Sequence, residues 1–131
     1  MLIKEITQYI AANTSLVVGS TLFAGFTESD APRTCVIVQE LDPAIADYLL
    51  TDVVQKPIRV LVRGATYWTT EATARSVFDL LHGKMQVTLP VVTSGTTYCV
   101  NITGTHPYYL GKDANGSHVF VVNFMVKSQL I

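Results

Sequence analysis

Along the first thirteen residues, Ile3, Ile6 and Ile10 recur on one stripe while Lys4, Glu5 and Gln8 fall off it. That is the helical period, and it predicts a short helix over 2–13. The pattern then changes. Residues 15–25 turn apolar, with Gly19 and Gly25 as breaks and a strand expected around 21–26, and residues 34–41 (TCVIVQEL) are β-branched and almost continuously apolar; both predict strands. Between them, Ser29, Asp30, Ala31 and Pro32 predict a turn. Over 58–63 the period is two, with Ile58, Val60 and Val62 on one face and Arg59, Leu61 and Arg63 on the other.

Residues 69–82 carry the strongest helical signal. Ala74, Val77, Phe78 and Leu81 repeat at the spacing of one helix face, and Glu71, Arg75 and Asp79 sit four apart on the opposite side. Thr69 or Thr70 is the expected N-cap, and Gly83 stands where a left-handed residue ends a helix. Strands return over 86–89, 97–103 and 117–127. The order is α-β-β-β-α-β-β-β. Short links between consecutive strands favour an α+β fold: a mostly antiparallel sheet of about six strands with two helices on one face. At 131 residues the expectation is one domain over 1–131.

The connection over 42–56 resists this scheme. Pro43 and Pro57 bracket it, and a helical turn over 44–50 is the expectation there. The segment holds Asp42, Asp47 and Asp52 beside Ile45, Tyr48, Leu49, Leu50, Val53 and Val54. A solvated loop has no use for six large apolar side chains, so something is expected to cover them.

Composition sharpens the question. Mean hydropathy is +0.35, and charged residues are only 15% of the chain. Yet the longest apolar runs are four or five residues, far short of the roughly 20 that a spanning helix needs. Glu5, Gln8 and Asn13 interrupt the N-terminal region where a signal peptide would be apolar. No membrane segment and no export are therefore expected. Either the core is unusually full, or apolar surface is covered by a partner. The last strand favours a partner: Phe120, Val122, Phe124 and Val126 form one face, and Val119, Val121 and Met125 the other with Asn123. A strand apolar on both faces is covered on both.

Candidate chemistry is sparse. Asp113, Asn115 and Gly116 resemble the start of a calcium loop, but the bidentate Glu expected twelve positions along is replaced by Phe124. Asn-Gly before a strand reads instead as a hairpin turn. His82, His106 and His118 are not paired with other ligand types at helical spacing, and Cys35 and Cys99 are far apart and read as buried small hydrophobes. There is no nucleophile elbow, dinucleotide fingerprint or phosphate loop. The expectation is no catalytic residue, no cofactor and no metal. A small-ligand-binding or catalytic α+β domain built on His82, His106 and Asp79 stays open as an alternative.

Charge is segregated. Glu28, Asp30, Glu40, Asp42, Asp47 and Asp52 face a single base, Arg33, whereas Lys56, Arg59 and Arg63 follow with no acid among them. An acidic edge and a basic edge on one molecule suit head-to-tail contact between copies.

The run IRVLVRGATY, a helix ending in FDLLHG, then QVTL and YYLGKDANGSHVFVVNFMV, resembles the phage minor capsid or tail terminator family of long-tailed bacteriophages. The N-terminal helix and the LFAGF strand also fit. The resemblance covers most of the chain, from Leu2 to Val126, with the weakest match over 42–56. It implies a structural virion protein that forms a ring, commonly a homo-hexamer, at the head-proximal end of the tail tube. Such a ring stops tube polymerisation and offers a surface for joining the head. Another neck or head-completion protein is the neighbouring alternative. The implied partners are further copies of the chain, the tail tube protein and a head-completion or neck protein. DNA passes through the channel without specific binding. The implied location is the tail–neck junction, after assembly in the host cytoplasm. The candidate interface residues are Arg59, Arg63, Asp42, Asp47, Tyr48, Leu49, Leu50, Asp52, Val53, Val121 and Met125. Arg59 and Arg63 are expected to meet acids of residues 28–52, from a neighbour or from the same chain.

Overall fold

In the computed structural model of the chain, residues 2–25, 33–40, 45–46, 53–92 and 97–130 are described. They form α1 (Leu2–Asn13), β1 (Leu22–Ala24), β2 (Cys35–Glu40), β3 (Ile45–Ala46), β4 (Val53–Gly64), α2 (Tyr67–Leu81), β5 (Lys84–Thr88), β6 (Tyr98–Gly104), β7 (Tyr108–Lys112) and β8 (His118–Leu130). The fold is α+β, and all six strands expected from the sequence are present; β3 and β7 are additional. One sheet runs β1-β2-β4-β8-β6-β5, with β3 paired to β4 and β7 to β8. Every pairing is antiparallel except β1 with β2.

β4 and β8 are the spine of the sheet, in register from Val53 opposite Gln129 to Gly64 opposite His118. Register partners point to the same face. One face therefore carries Val36 and Val38, Ile58, Val60 and Val62, Phe120, Val122, Phe124 and Val126, and Val100 and Ile102. All belong to a single core with Ile3, Ile6 and Ile10 of α1 and Ala74, Val77, Phe78 and Leu81 of α2. The helical stripes read from the sequence are thus the faces that cover the sheet. Each fully buried Val, Leu or Ile contributes on the order of 1.5–3 kcal/mol.

Local chemistry departs from expectation in several places. Glu5 lies inside, fully buried, rather than on the polar side of α1. α2 starts two residues early, after Thr66, which makes no side-chain cap. Thr70 Oγ1 donates instead to the Thr66 carbonyl at 2.6 Å, so neither Thr69 nor Thr70 is the cap. Gly64 allows this arrangement, because a Cβ there would collide with Thr70 Oγ1. At the other end, Gly83 has φ +79° as the helix-ending pattern requires. The expected helical turn over 44–50 is contradicted where it is described: Ile45–Ala46 is a strand paired with Gln55 and Val54. β4 likewise begins at Val53 and passes through Pro57. That proline is tolerated where β2 pairs only as far as Ile58 and β3 only from Gln55, so the ladder is interrupted on that side among the described residues.

Candidate interaction surfaces

The face of the sheet away from the helices carries the alternate residues. Gln39, Arg59 and Asn123 form one row across β2, β4 and β8; Ile37, Leu61 and Val121 form the next, and Cys35, Arg63 and Val119 the third. This outer face holds most of the described candidate residues. Met125 is exposed, whereas Val121 is only 1% exposed, covered within its own chain, and Val53 is buried at the start of β4. Asp42, Asp47, Tyr48, Leu49, Leu50 and Asp52 lie outside the described residues.

The basic strand finds partners in its own chain. Lys56 Nζ lies 2.8 Å from Glu40 Oε1, an intramolecular pair between the acidic and basic stretches that is not among the matches expected for Arg59 and Arg63. Arg59 Nη2 donates to Gln39 Oε1 at 3.2 Å. Arg63 lies 3.9 Å from Asp113 Oδ2 and donates Nε–H to the Arg33 carbonyl. Beside it, burial pushes the Cys35 thiol up while the Arg63 guanidinium pulls it down. Cys35 and Cys99 are three strand steps apart across β4 and β8, and their register positions on β8, Val119 and Gln129, lie at opposite ends of that strand, so they are far beyond disulfide reach.

The 113–116 stretch is a turn. Asp113 Oδ1 accepts the backbone N–H groups of Asn115 and Ser117, each at 2.9 Å, and the Gly116 N–H donates to the Asp113 carbonyl. Only Gly116 takes positive φ, +76°, so the hairpin uses glycine alone in the left-handed position, and Asn115 does not share it. Arg33 clamps the far side, donating to Ser117 Oγ and to the Gly116 carbonyl at 2.8 Å each. The Asp113 carboxyl is held below the usual range, chiefly by the Ser117 N–H, with Asn115, Arg63 and Arg33 adding to it.

The histidines are occupied structurally. His82 stacks on Phe78 with ring centroids 4.8 Å apart, and its Nδ1 accepts the Gly104 N–H at 2.9 Å. His106 packs against the same phenylalanine, also at 4.8 Å, so the fold brings these two histidines to one ring. His118 Nδ1 pairs with the Tyr109 hydroxyl at 2.9 Å. Among the described residues no three His, Cys, Asp or Glu gather as a metal group. A cavity of about 140 Å³ lies beside Cys35, Thr66 and Thr70, and shallower depressions of about 310–460 Å³ lie along β6 and β8, around Asn101, Thr103 and Met125.

What the sequence reading missed is a set of exposed apolar side chains. Of the ten large hydrophobics that stand exposed among the described residues, six lie between Lys84 and Lys112: Met85, Val91, Val92, Tyr108, Tyr109 and Leu110. Trp68, 73% exposed, stands near Tyr109 through Tyr67, whose ring contacts those of both. A signal was present: residues 85–111 contain no Asp, Glu, Lys or Arg. Among the described residues no helix is long and apolar enough to cross a membrane.

No curated protein matches the chain. A family model described as bacteriophage tail terminator protein matches residues 9–129, which takes in both faces of the sheet, the 113–116 turn and the charge-free stretch. The chain belongs to the bacteriophage tail terminator family.

Proposed function

We propose that this chain assembles into a ring, commonly of six copies in the family, at the head-proximal end of the tail tube. There it stops tube polymerisation and provides the surface to which the head or neck is joined. The observation that carries this reading is the family match over residues 9–129. The exposed apolar side chains and the outer face of the sheet support it, because a terminator needs separate surfaces for its own copies, the tube and the neck. Its partners are therefore further copies of itself, the tail tube protein and a head-completion or neck protein. It is a virion component of the tail–neck junction, assembled in the host cytoplasm. It binds and positions; no covalent step is assigned to it.

In this reading, residues 42–56 meet a neighbouring subunit or the tube. Asp42, Asp47 and Asp52 face the channel or a neighbour's basic strand, and Tyr48, Leu49 and Leu50 supply the apolar contact. Acids along the channel repel phosphates, so DNA passes without sticking. Arg59, Arg63 and Met125 on the outer face complete the candidate interface, with Val53 and Val121 packed behind it. Native mass measurement of the purified chain tests the ring: an oligomer near six subunits is expected, and a monomer at all concentrations contradicts it.

A further inference from the structure

Three successive amides of the turn between β7 and β8 are held by one residue. Asp113 Oδ1 accepts from the N–H groups of Asn115 and Ser117 at 2.9 Å each, and the Asp113 carbonyl accepts from Gly116 at 3.0 Å. The Asp113 N–H donates in turn to the Ser117 carbonyl at 2.9 Å. The middle amide has chemistry open to it, because the side chain that precedes it is the carboxamide of Asn115.

When the Gly116 nitrogen gives up its proton and attacks Asn115 Cγ, a succinimide ring closes. The side-chain nitrogen leaves as ammonia and carries that proton away. Water then opens the ring. Cleavage at Cγ leaves aspartate, and cleavage at the main-chain carbonyl leaves isoaspartate, with the chain rerouted through Cβ. Water is the only co-reactant, and the net exchange is ammonia for water. A side chain on the residue after asparagine hinders the attack, and glycine has none. Asn13, Asn101 and Asn123 precede Thr14, Ile102 and Phe124, so Asn115 is the one asparagine followed by glycine. Its side chain stands exposed, and glycine supplies the backbone freedom that ring closure needs. Asn101 and Asn123 lie inside β6 and β8, where the ladder fixes the backbone.

The folded turn opposes the step. The Gly116 nitrogen keeps its proton in the bond to the Asp113 carbonyl, and the two bonds to Asp113 Oδ1 fix the amide planes on either side. Arg33 adds its clamp on the Gly116 carbonyl and Ser117 Oγ. Attack therefore waits on local opening of the turn, and the Asp113 side chain sets how often the turn opens.

We propose that Asn115 is a site of spontaneous deamidation and that Asp113 holds it in check. The isoaspartate product adds a backbone atom and a carboxylate beside the Arg33 clamp, so the turn no longer fits between β7 and β8.

Incubation of the full chain at mildly alkaline pH, followed by peptide mass spectrometry, reads the exchange of ammonia for water at each asparagine. Exchange is expected at Asn115 ahead of Asn13, Asn101 and Asn123, and more slowly in the folded chain than in urea. Asp113→Ala removes two hydrogen bonds that close the turn and should speed the exchange roughly fivefold or more. Asp113→Asn keeps an acceptor oxygen and should restore part of the protection. Gly104→Ala separates local from global opening: it crowds Phe124, away from the turn, and should leave the rate near that of the parent chain. Material enriched in isoaspartate should melt below fresh material. Equal rates in the parent and Asp113→Ala, or equal acceleration by Gly104→Ala, would remove Asp113 as the gate. No exchange at Asn115 even in urea would overturn the site itself.

Discussion

Gly104 and Phe124 are register partners on β6 and β8, and the phenyl ring lies across the glycine where a side chain would otherwise stand. A Cβ built on Gly104 would sit 2.6 Å from Phe124 Cδ1 and Cε1. The same glycine donates its N–H to His82 at the end of α2. It therefore joins the sheet to the helix end beside a buried core ring. Gly104→Ala should destabilise the chain by roughly 1–3 kcal/mol, the usual cost of overpacking. Urea unfolding checks this, and an unchanged midpoint would show that Phe124 has room to move.

The hairpin at 113–116 should depend on one glycine and one carboxylate. Gly116→Ala forces an L-residue to φ +76° and should cost about 1 kcal/mol. Asp113→Ala should also destabilise, by removing the acceptor of two backbone N–H groups. Because hydrogen bonding favours the ionised form, the native carboxyl titrates below its ordinary range. Its contribution is full above that range and is lost as pH falls through the depressed value. The stability gap between wild type and Asp113→Ala should therefore close on acidification. Added calcium should leave the melting temperature unchanged; a rise of several degrees would restore the metal reading.

How much of this was legible follows from which residues speak locally. The stripes Ile3-Ile6-Ile10 and Ala74-Val77-Phe78-Leu81 and the alternation over 58–63 placed both helices and the central strand, because each buries one regular face. β7 was hidden because Tyr108–Lys112 is short, follows Pro107 and contains Gly111; it becomes a strand only by pairing with β8. The first half of β4 was hidden by Pro57, a strand breaker in isolation that here meets an interruption in the ladder. The intramolecular Lys56–Glu40 and Arg63–Asp113 pairs depend on which strands are neighbours, which periodicity does not carry. The exposed apolar surface was written in the sequence as an absence of charge, a signal that hydrophobic period cannot see.

Arg59 Nε and Asn123 Oδ1, on facing positions of β4 and β8, are both buried with no hydrogen-bond partner among the described residues. Such groups weaken an isolated subunit, and apolar replacements of similar size are often neutral or stabilising. Arg59→Leu combined with Asn123→Val should keep monomer stability within about 1 kcal/mol or raise it, while weakening assembly if the outer face meets a neighbour. Chemical unfolding and sedimentation together read the two effects. Lost monomer stability with unchanged assembly would assign the pair to the fold alone.

Residues 53–56 belong to β4, so the candidate contact segment can be shortened only ahead of them. Replacing residues 47–52 with Asn-Gly, to join β3 and β4 tightly, should leave a folded protein that fails to cap tails. Electron microscopy of particles made with this variant should show tubes of uncontrolled length. Infectious particles with tails of normal length would move the functional contact elsewhere on the molecule.

The central claim is that this chain ends a tail tube. Negative-stain imaging of growing tubes, with and without the purified chain, tests it most directly. The account predicts a ring-shaped particle at one end only, and tubes whose growth at that end stops once the ring is bound. Tubes that grow to the same length distribution, with no particle at either end, would contradict it.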